Sequence, residues 1–305
     1  MRLSPLVLCC LAATWLVWGS TYLAIRLALP GFPPYWQMSS RFLVAGTALM
    51  IWCKLRGGAM PTLMQWRNAL IVGGLMLGVG IGNTAVAEIT IASGLVVAFI
   101  AITPAIITLL NLCYGIKPTR LEVLGILIGI AGVLLLTQGS GLSASPQGLL
   151  AISIAVMGWA LGSVLSQQQC KLAPGAMGFA SEMLMGGAVL FIMSRIKGET
   201  PQWQPGWIPF AAWLYLVVFG SLIAFNAYML LLSRASAALA ASYTFVNPMI
   251  AMALGIAIGG ETVTGFEWLA TGVVIVAVVL LVMGRRKSPA KVDSGTHPPY
   301  VKDKQ

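Results

Sequence analysis

Apolar positions run along this chain in blocks of about 20, the length a helix needs to cross a bilayer, and polar positions gather in short stretches between them. The blocks predict about ten spans, near residues 6–28, 35–53, 68–87, 92–115, 121–137, 147–167, 177–195, 208–231, 237–259 and 266–284. The breaks are turn chemistry: Pro30-Gly31-Phe32-Pro33-Pro34, Gly57-Gly58, Lys117-Pro118-Thr119, Gly139 to Pro146, Pro174-Gly175 and Pro201 to Pro209. None of these connections is long enough to fold as a soluble domain, and residues 288–305 read as a polar, disordered tail. The first block lacks an A-x-A cleavage site before Pro30 and is too long for a signal-peptide core, so it reads as an uncleaved first helix.

The pattern is written twice. Ser40–Gly57 and Ser181–Gly198 align without a gap and match at Ser40/Ser181, Leu43/Leu184, Gly46/Gly187, Leu49/Leu190, Ile51/Ile192 and Gly57/Gly198. Trp18 and Arg26 parallel Trp159 and Gln167, and Pro104 in AFIAITPAI parallels Pro248 in SYTFVNPMI. The halves are therefore collinear, residues 1–140 and 146–287, each carrying five spans.

Composition narrows the class. The chain is 58% hydrophobic and 9% charged over 305 residues, whereas a soluble surface takes roughly 25% charged residues; the expectation is an all-α integral membrane protein. A net charge of +10 would suggest nucleic acid in a soluble protein. Here the basic residues sit in short loops and the tail, where they set orientation instead. With the N-terminus in the cytoplasm, Arg2, Lys54, Arg56, Arg67, Lys117, Arg120, Lys171, Arg234 and the tail's bases fall inside, and Arg26, Arg41, Arg195 and Lys197 fall outside. Both termini then lie in the cytoplasm. Arg195 and Lys197 are the repeat partners of Lys54 and Arg56. A five-span half, being odd, would insert its copy upside down and carry that basic pair to the other side, so the repeat reads as inverted. The five cysteines form no CxxC pair and read as packing residues.

Charge at membrane depth costs at least ~2.5 kcal/mol, so each case asks for a reason. Arg41 lies about two turns into the second span, and its repeat partner is Glu182. Arg41 is expected to face a cavity and hold a carboxylate, of a substrate or a gate partner; the alternative is a structural ion pair or a snorkelling side chain. Arg26, Arg41, Glu88 and Glu261 all fall toward the outer face, where they would form a closable salt-bridge cluster. Interfacial anchoring serves Arg26 and Glu261 equally well. Glu88 is a proton carrier if buried; as a helix-end residue it is expected to be solvated. Glu182 and Glu261 complete the gate or coupling set. Pro104 and Pro248 each free a backbone carbonyl at mid-span, which suits paired hinges lining a cavity or static kinks. Asn83 and Asn226 place amides deep in apolar spans, for substrate contact or interhelical hydrogen bonds. Trp18, Tyr22, Trp159 and Tyr243 are the cavity aromatics, whereas Trp36, Trp203, Trp207 and Trp268 read as an interfacial belt. Gly74-x-x-x-Gly78-x-x-x-Gly82 and Gly125-x-x-x-Gly129 read as faces for close helix packing.

WGSTYLAIR at Trp18–Arg26, SRFLVAG at Ser40–Gly46, the two mid-span prolines and GETVTGFEWLATG at Gly260–Gly272 resemble the EamA family of the drug/metabolite transporter superfamily. The resemblance covers about residues 5 to 285. It implies ten helices in a five-plus-five inverted repeat around a central cavity, and export or exchange of small metabolites, often amino acids or toxic compounds. The halves depart from symmetry at Lys117 against Glu261 and at Gly125 against Ala270.

The expected function is a secondary transporter working by alternating access on small metabolites, amino acids or related zwitterions and anions before others. Its partners are the substrate, the lipid bilayer and, where transport is coupled, protons. The alternatives are an efflux carrier for lipophilic toxic compounds, or a gradient-independent facilitator or channel. No Walker motif points to ATP, and no metal, cofactor or nucleic acid is expected. A membrane enzyme is disfavoured because the single histidine, His297, and both aspartates fall in the tail. Oligomeric state is left open.

Overall fold

Backbone groups in hydrocarbon have no water to bond, so a spanning chain must close its hydrogen bonds internally. The computed structural model describes residues 4–136, 138, 145–234 and 243–285. Those residues are helical apart from short connections, with no strand among them. In chain order the helices are α1 (Pro5–Ala28), α2 (Pro34–Leu55), α3 (Leu63–Ala87), α4 (Ser93–Tyr114), α5 (Arg120–Leu136), α6 (Pro146–Gln168), α7 (Ala176–Ile196), α8 (residues 207–234), α9 (Tyr243–Ala257) and α10 (Gly265–Arg285). Six of them, α1, α3, α4, α6, α7 and α8, are long and apolar enough to cross a membrane. The tail, Arg2, the inter-repeat stretch 139–144 and the predicted start of the ninth span at 237–242 lie outside the described residues.

The helix starts follow capping chemistry that the hydrophobic pattern does not reveal. Ser4 and Ser145 each open a helix immediately before a proline, their hydroxyls accepting from Val7 N and Gly148 N. Thr62 and Gln65 form a reciprocal capping box that starts α3 at Leu63, five residues ahead of the predicted 68. Thr119 N donates to Glu122 and Thr264 N to Glu267 at the starts of α5 and α10, so both glutamates are spent on caps. Gly57 and Gly198, matched in the duplication, sit just past α2 and α7 at φ of 81° and 67°, the left-handed region that glycine enters at least cost.

Two helices contain π-helical segments, Gly74–Ile81 in α3 and Leu216–Ile223 in α8, each of 8 residues and at corresponding places in the two halves. A π turn widens the helix and disturbs the regular ladder, and such segments are frequent at functional sites. α4 is interrupted at Ala101–Ile102, just before Pro104, whereas Pro248 lies inside an unbroken α9.

The core is built on repeat-related pairs. α2 packs along α7, and α5 along α10. A side-chain carbon on Gly46 would meet Met183 and Leu184, and one on Gly187 would meet Leu43; as α2 advances, its contacts on α7 retreat, so the two helices run antiparallel. Gly125 faces Ala277 and Leu281 while Gly132 faces Val274, so α5 and α10 are antiparallel too. Gly74, Gly78 and Gly82 all face Val189 or Leu190 of α7. The connections sort to two ends. At one, Gln202 N donates to Gly31 O (3.2 Å), Arg26 meets Glu261, and Ser145 Oγ meets Thr90 Oγ1 (2.7 Å). At the other, Asn68 Nδ2 donates to Lys171 O (2.9 Å) and Gly58 lies against Met177.

Candidate functional site

Arg41 projects from α2 toward the π segment of α8. It is 5% exposed, its Nε donates to Ser221 Oγ (2.8 Å), its Nη1 lies 3.8 Å from Met38 Sδ, and its guanidinium carbon sits 4.9 Å from the Phe42 ring centre. It forms no ion pair among the described residues. A buried guanidinium with one hydroxyl partner keeps most of its five N–H donors unspent on protein oxygen. Glu182, its repeat partner on α7, is also buried. The two do not pair: the antiparallel register that sets Leu43 against Gly187 and Gly46 against Leu184 carries Arg41 and Glu182 toward opposite ends of the contact.

An aromatic group lies beside Arg41. Trp18 donates from Nε1 to Gly220 O (3.3 Å), the residue next to Ser221. Its ring centre lies 4.8 Å from Tyr243, 5.2 Å from Tyr228 and 5.4 Å from Phe225, with Phe179 a further 5.6 Å from Phe225. Trp18 and Tyr243 were expected from sequence; Phe179, Phe225 and Tyr228 were not, because nothing in a uniformly apolar stretch marks the inward face of a helix. Tyr22, one turn along α1 from Trp18, stands within electrostatic reach of both Arg41 and Glu88. Trp159, equivalent to Trp18, is half-buried against Gly80 and meets no comparable aromatic group in the described residues.

The expected four-charge cluster forms in part. Arg26 Nη1 pairs with Glu261 Oε1 at 2.6 Å. Glu261 also accepts from Ser93 N (2.8 Å), Ser93 Oγ (2.5 Å) and Gly94 N (3.4 Å), which pins the 258–264 turn to the start of α4. Arg41 stands apart from this pair. Glu88 corrects the expectation of a solvated helix end: it is 2% exposed, and neither carboxylate oxygen has a hydrogen-bond partner among the described residues. Burial follows because the end of α3 is covered by α2 and α6.

The two asparagines part company. Asn83 donates to Val79 O (2.8 Å) and accepts from Tyr35 Oη (3.3 Å), an interhelical bond. Asn226 is a correction: it is exposed on the outside of α8, its amide turned back onto Leu222 O (2.6 Å), because the inward face of that turn is taken by Phe225 and Tyr228. It borders an apolar groove of about 540 Å³ with Cys9 and Cys10 of α1. A second cleft, of about 360 Å³, opens beside Arg26 between α1, Pro209 and Ile258. Trp203 and Trp207 are outermost, at 100% and 78% exposure, whereas Trp36 stacks on Phe32. Among the described residues the five cysteines are free thiols, and no group of three His, Cys, Asp or Glu could hold a metal ion.

Glu199 went unnoticed in the sequence. Its two carboxylate oxygens accept from Tyr35 N (3.2 Å) and Trp36 N (2.7 Å), so a loop of the second half caps the first turn of α2. Prolines 33 and 34 leave that helix start without a side-chain cap of its own.

A duplicated all-helical chain with six apolar spans, buried charges at depth and a π turn at the same place in each half is the build of a membrane transporter. The sequence pattern of the EamA-like transporter family matches residues 5–138 and again 146–283, and the chain belongs to that family. It is 43% identical over 282 residues, 92% of either chain, to the uncharacterized inner membrane transporter YedA of Escherichia coli strain K12. It is 25% identical over 281 residues to Protein PecM of Dickeya dadantii, covering 89% of this chain and 92% of that one. A crystal structure at 18% identity and a TM-score of 0.65, covering 92% of this chain and 98% of that one, shares the fold.

Proposed function

We propose that the chain is a secondary transporter of small carboxylate-bearing metabolites, amino acids and related zwitterions first among them, in a bacterial inner membrane. Its ten helices act as a five-plus-five inverted repeat, residues 1–140 and 146–287, with both termini in the cytoplasm. The antiparallel pairing of α2 with α7 and α5 with α10 supports inversion, because repeat-related helices exchanged by an axis along the membrane normal would run parallel. The sorting of connections to two ends supports a crossing by every helix.

One observation carries the substrate class. Arg41 is a buried cation with no carboxylate partner among the described residues, held by Ser221 in a π turn on the opposing half. A substrate carboxylate would complete it, and rocking of one half on the other would carry the pair between the two sides. Pro104 and Pro248 serve as hinges, and Arg26 with Glu261 closes the outer end. The aromatic group around Trp18 favours a second reading, an efflux carrier for lipophilic compounds that needs no carboxylate.

Counterflow into proteoliposomes preloaded with amino acids and small carboxylates tests the first reading. The expected result is accumulation of a carboxylate-bearing class by the wild type and its loss in Arg41→Ala at equal reconstitution. Normal counterflow by Arg41→Ala overturns the site. Accumulation of lipophilic cations alone selects the second reading.

A further inference from the structure

Glu88 closes the C-terminal end of α3, and both of its carboxylate oxygens are buried without a donor among the described residues. An ionised carboxylate in that setting lacks what such groups need, a hydrogen bond or a cation. The ionisable groups that face it are few. Within electrostatic reach are Tyr22 and Arg26 from α1 and Glu261 from the 258–264 turn. α2, packed on one side, carries Tyr35 and Arg41. α6, packed on the other, has no ionisable residue from Pro146 to Gln168. Glu261 is already supplied by Arg26, Ser93 and Gly94. Arg41 is held on Ser221, and Arg26 is the cation within electrostatic reach of Glu88; two carboxylates therefore compete for Arg26, and the one without other donors is Glu88.

We propose that Glu88 is a proton-binding site that controls the Arg26–Glu261 latch. With the proton on, Glu88 is a neutral acid and Arg26 stays on Glu261. When the O–H bond breaks, the proton leaves to water and the electron pair remains on Glu88. The new carboxylate then draws Arg26 away and weakens the tie between the 258–264 turn and α4. The coupling of this step to transport rests on the carrier reading above; the proton site itself does not.

Infrared difference spectra between two pH values, taken on the full-length protein in vesicles without substrate, test the site. The wild type should show a carboxylic-acid carbonyl band that disappears as the group ionises. The band should be missing in Glu88→Gln and displaced in Glu88→Asp. A Glu88→Gln spectrum that keeps the band overturns the proposal, and so does an unmoved band in Glu88→Asp should the glutamine variant fail to fold. Counterflow supplies the second arm. At equal pH on both sides, Glu88→Gln, which leaves Arg26 on Glu261, should exchange substrate more slowly than the wild type; a pH difference should change the rate of the wild type only. A wild type that exchanges but ignores the pH difference overturns the coupling. A wild type with no counterflow of any probe defeats the carrier reading, and the infrared arm then decides the proton site alone.

Discussion

Gly46 on α2 lies against Leu184 on α7, and the same contact is returned by their repeat counterparts, Gly187 against Leu43. Each glycine leaves room for the leucine that its own copy provides on the opposite helix. A side-chain carbon on Gly46 would sit 2.9 Å from Met183 Cβ and one on Gly187 would sit 3.0 Å from Leu43 Cγ. The pair predicts equal damage from equal changes. Gly46→Val and Gly187→Val should each cost about 3 kcal/mol by forcing two packed helices apart, read as lowered thermal stability in detergent. Gly272→Ala is the control: nothing lies within 4 Å of its added carbon, and it should be neutral or gain up to about 1 kcal/mol of helix propensity. Unequal losses at Gly46 and Gly187 would argue against a symmetric interface.

The same antiparallel register makes a prediction about sides. Lys54, in the last turn of α2, and Lys197, which caps the end of α7, lie in the two basic stretches that the duplication matches. If the halves are inverted, cysteines placed there lie across the membrane from each other. In a background with Cys9, Cys10, Cys53, Cys113 and Cys170 replaced, a membrane-impermeant maleimide applied to intact cells should label Lys197→Cys and spare Lys54→Cys. Labelling of both, or of Lys54→Cys alone, would sink the proposed topology.

Ser221 offers a way to perturb Arg41 without removing its charge. Its hydroxyl accepts from Arg41 Nε and is fully buried. Ser221→Ala deletes one hydrogen bond to a charged group, worth about 1.5 kcal/mol or roughly a tenfold weakening. The guanidinium remains but loses its orientation. The expected outcome is a KM raised by about that factor with the maximal rate little changed, measured by counterflow across a substrate series. A fall in maximal rate at unchanged KM would place Ser221 in the moving contact between the halves rather than in substrate recognition.

How much of this was legible in the sequence depends on what signal each feature leaves. Helix existence was legible because apolar runs of spanning length are unambiguous, and the duplication because Ser40–Gly57 and Ser181–Gly198 share identities without a gap. Burial was not. In a soluble helix the polar face marks the outside; here the side facing lipid is as apolar as the core, so Asn226 on the outside and Phe225 on the inside carry no distinguishing pattern. Glu88 was misjudged for the same reason, since its position at a helix end says nothing of the neighbours that cover it. The paired π segments left no trace, because a π turn is a matter of hydrogen-bond register and not of composition. Arg26 with Glu261 was anticipated because charge is rare enough in this chain for two opposite charges at one face to stand out.

Glu199 gives the last test, of a tie between the halves that lies outside the Arg41 region. Its carboxylate takes the Tyr35 and Trp36 amides at the start of α2, where the helix dipole favours negative charge. The second-half loop that carries it is joined to the first again by Gln202 N on Gly31 O. Glu199→Ala should destabilise the fold by about 1 kcal/mol, in the range of lost helix caps. Glu199→Gln keeps an acceptor for one amide and should lose about half as much. If Glu199 also holds the outer ends together during turnover, Glu199→Ala should speed exchange of an outer-side substrate while lowering stability. Lower stability with unchanged exchange would confine Glu199 to capping α2, and unchanged stability would remove it from both roles.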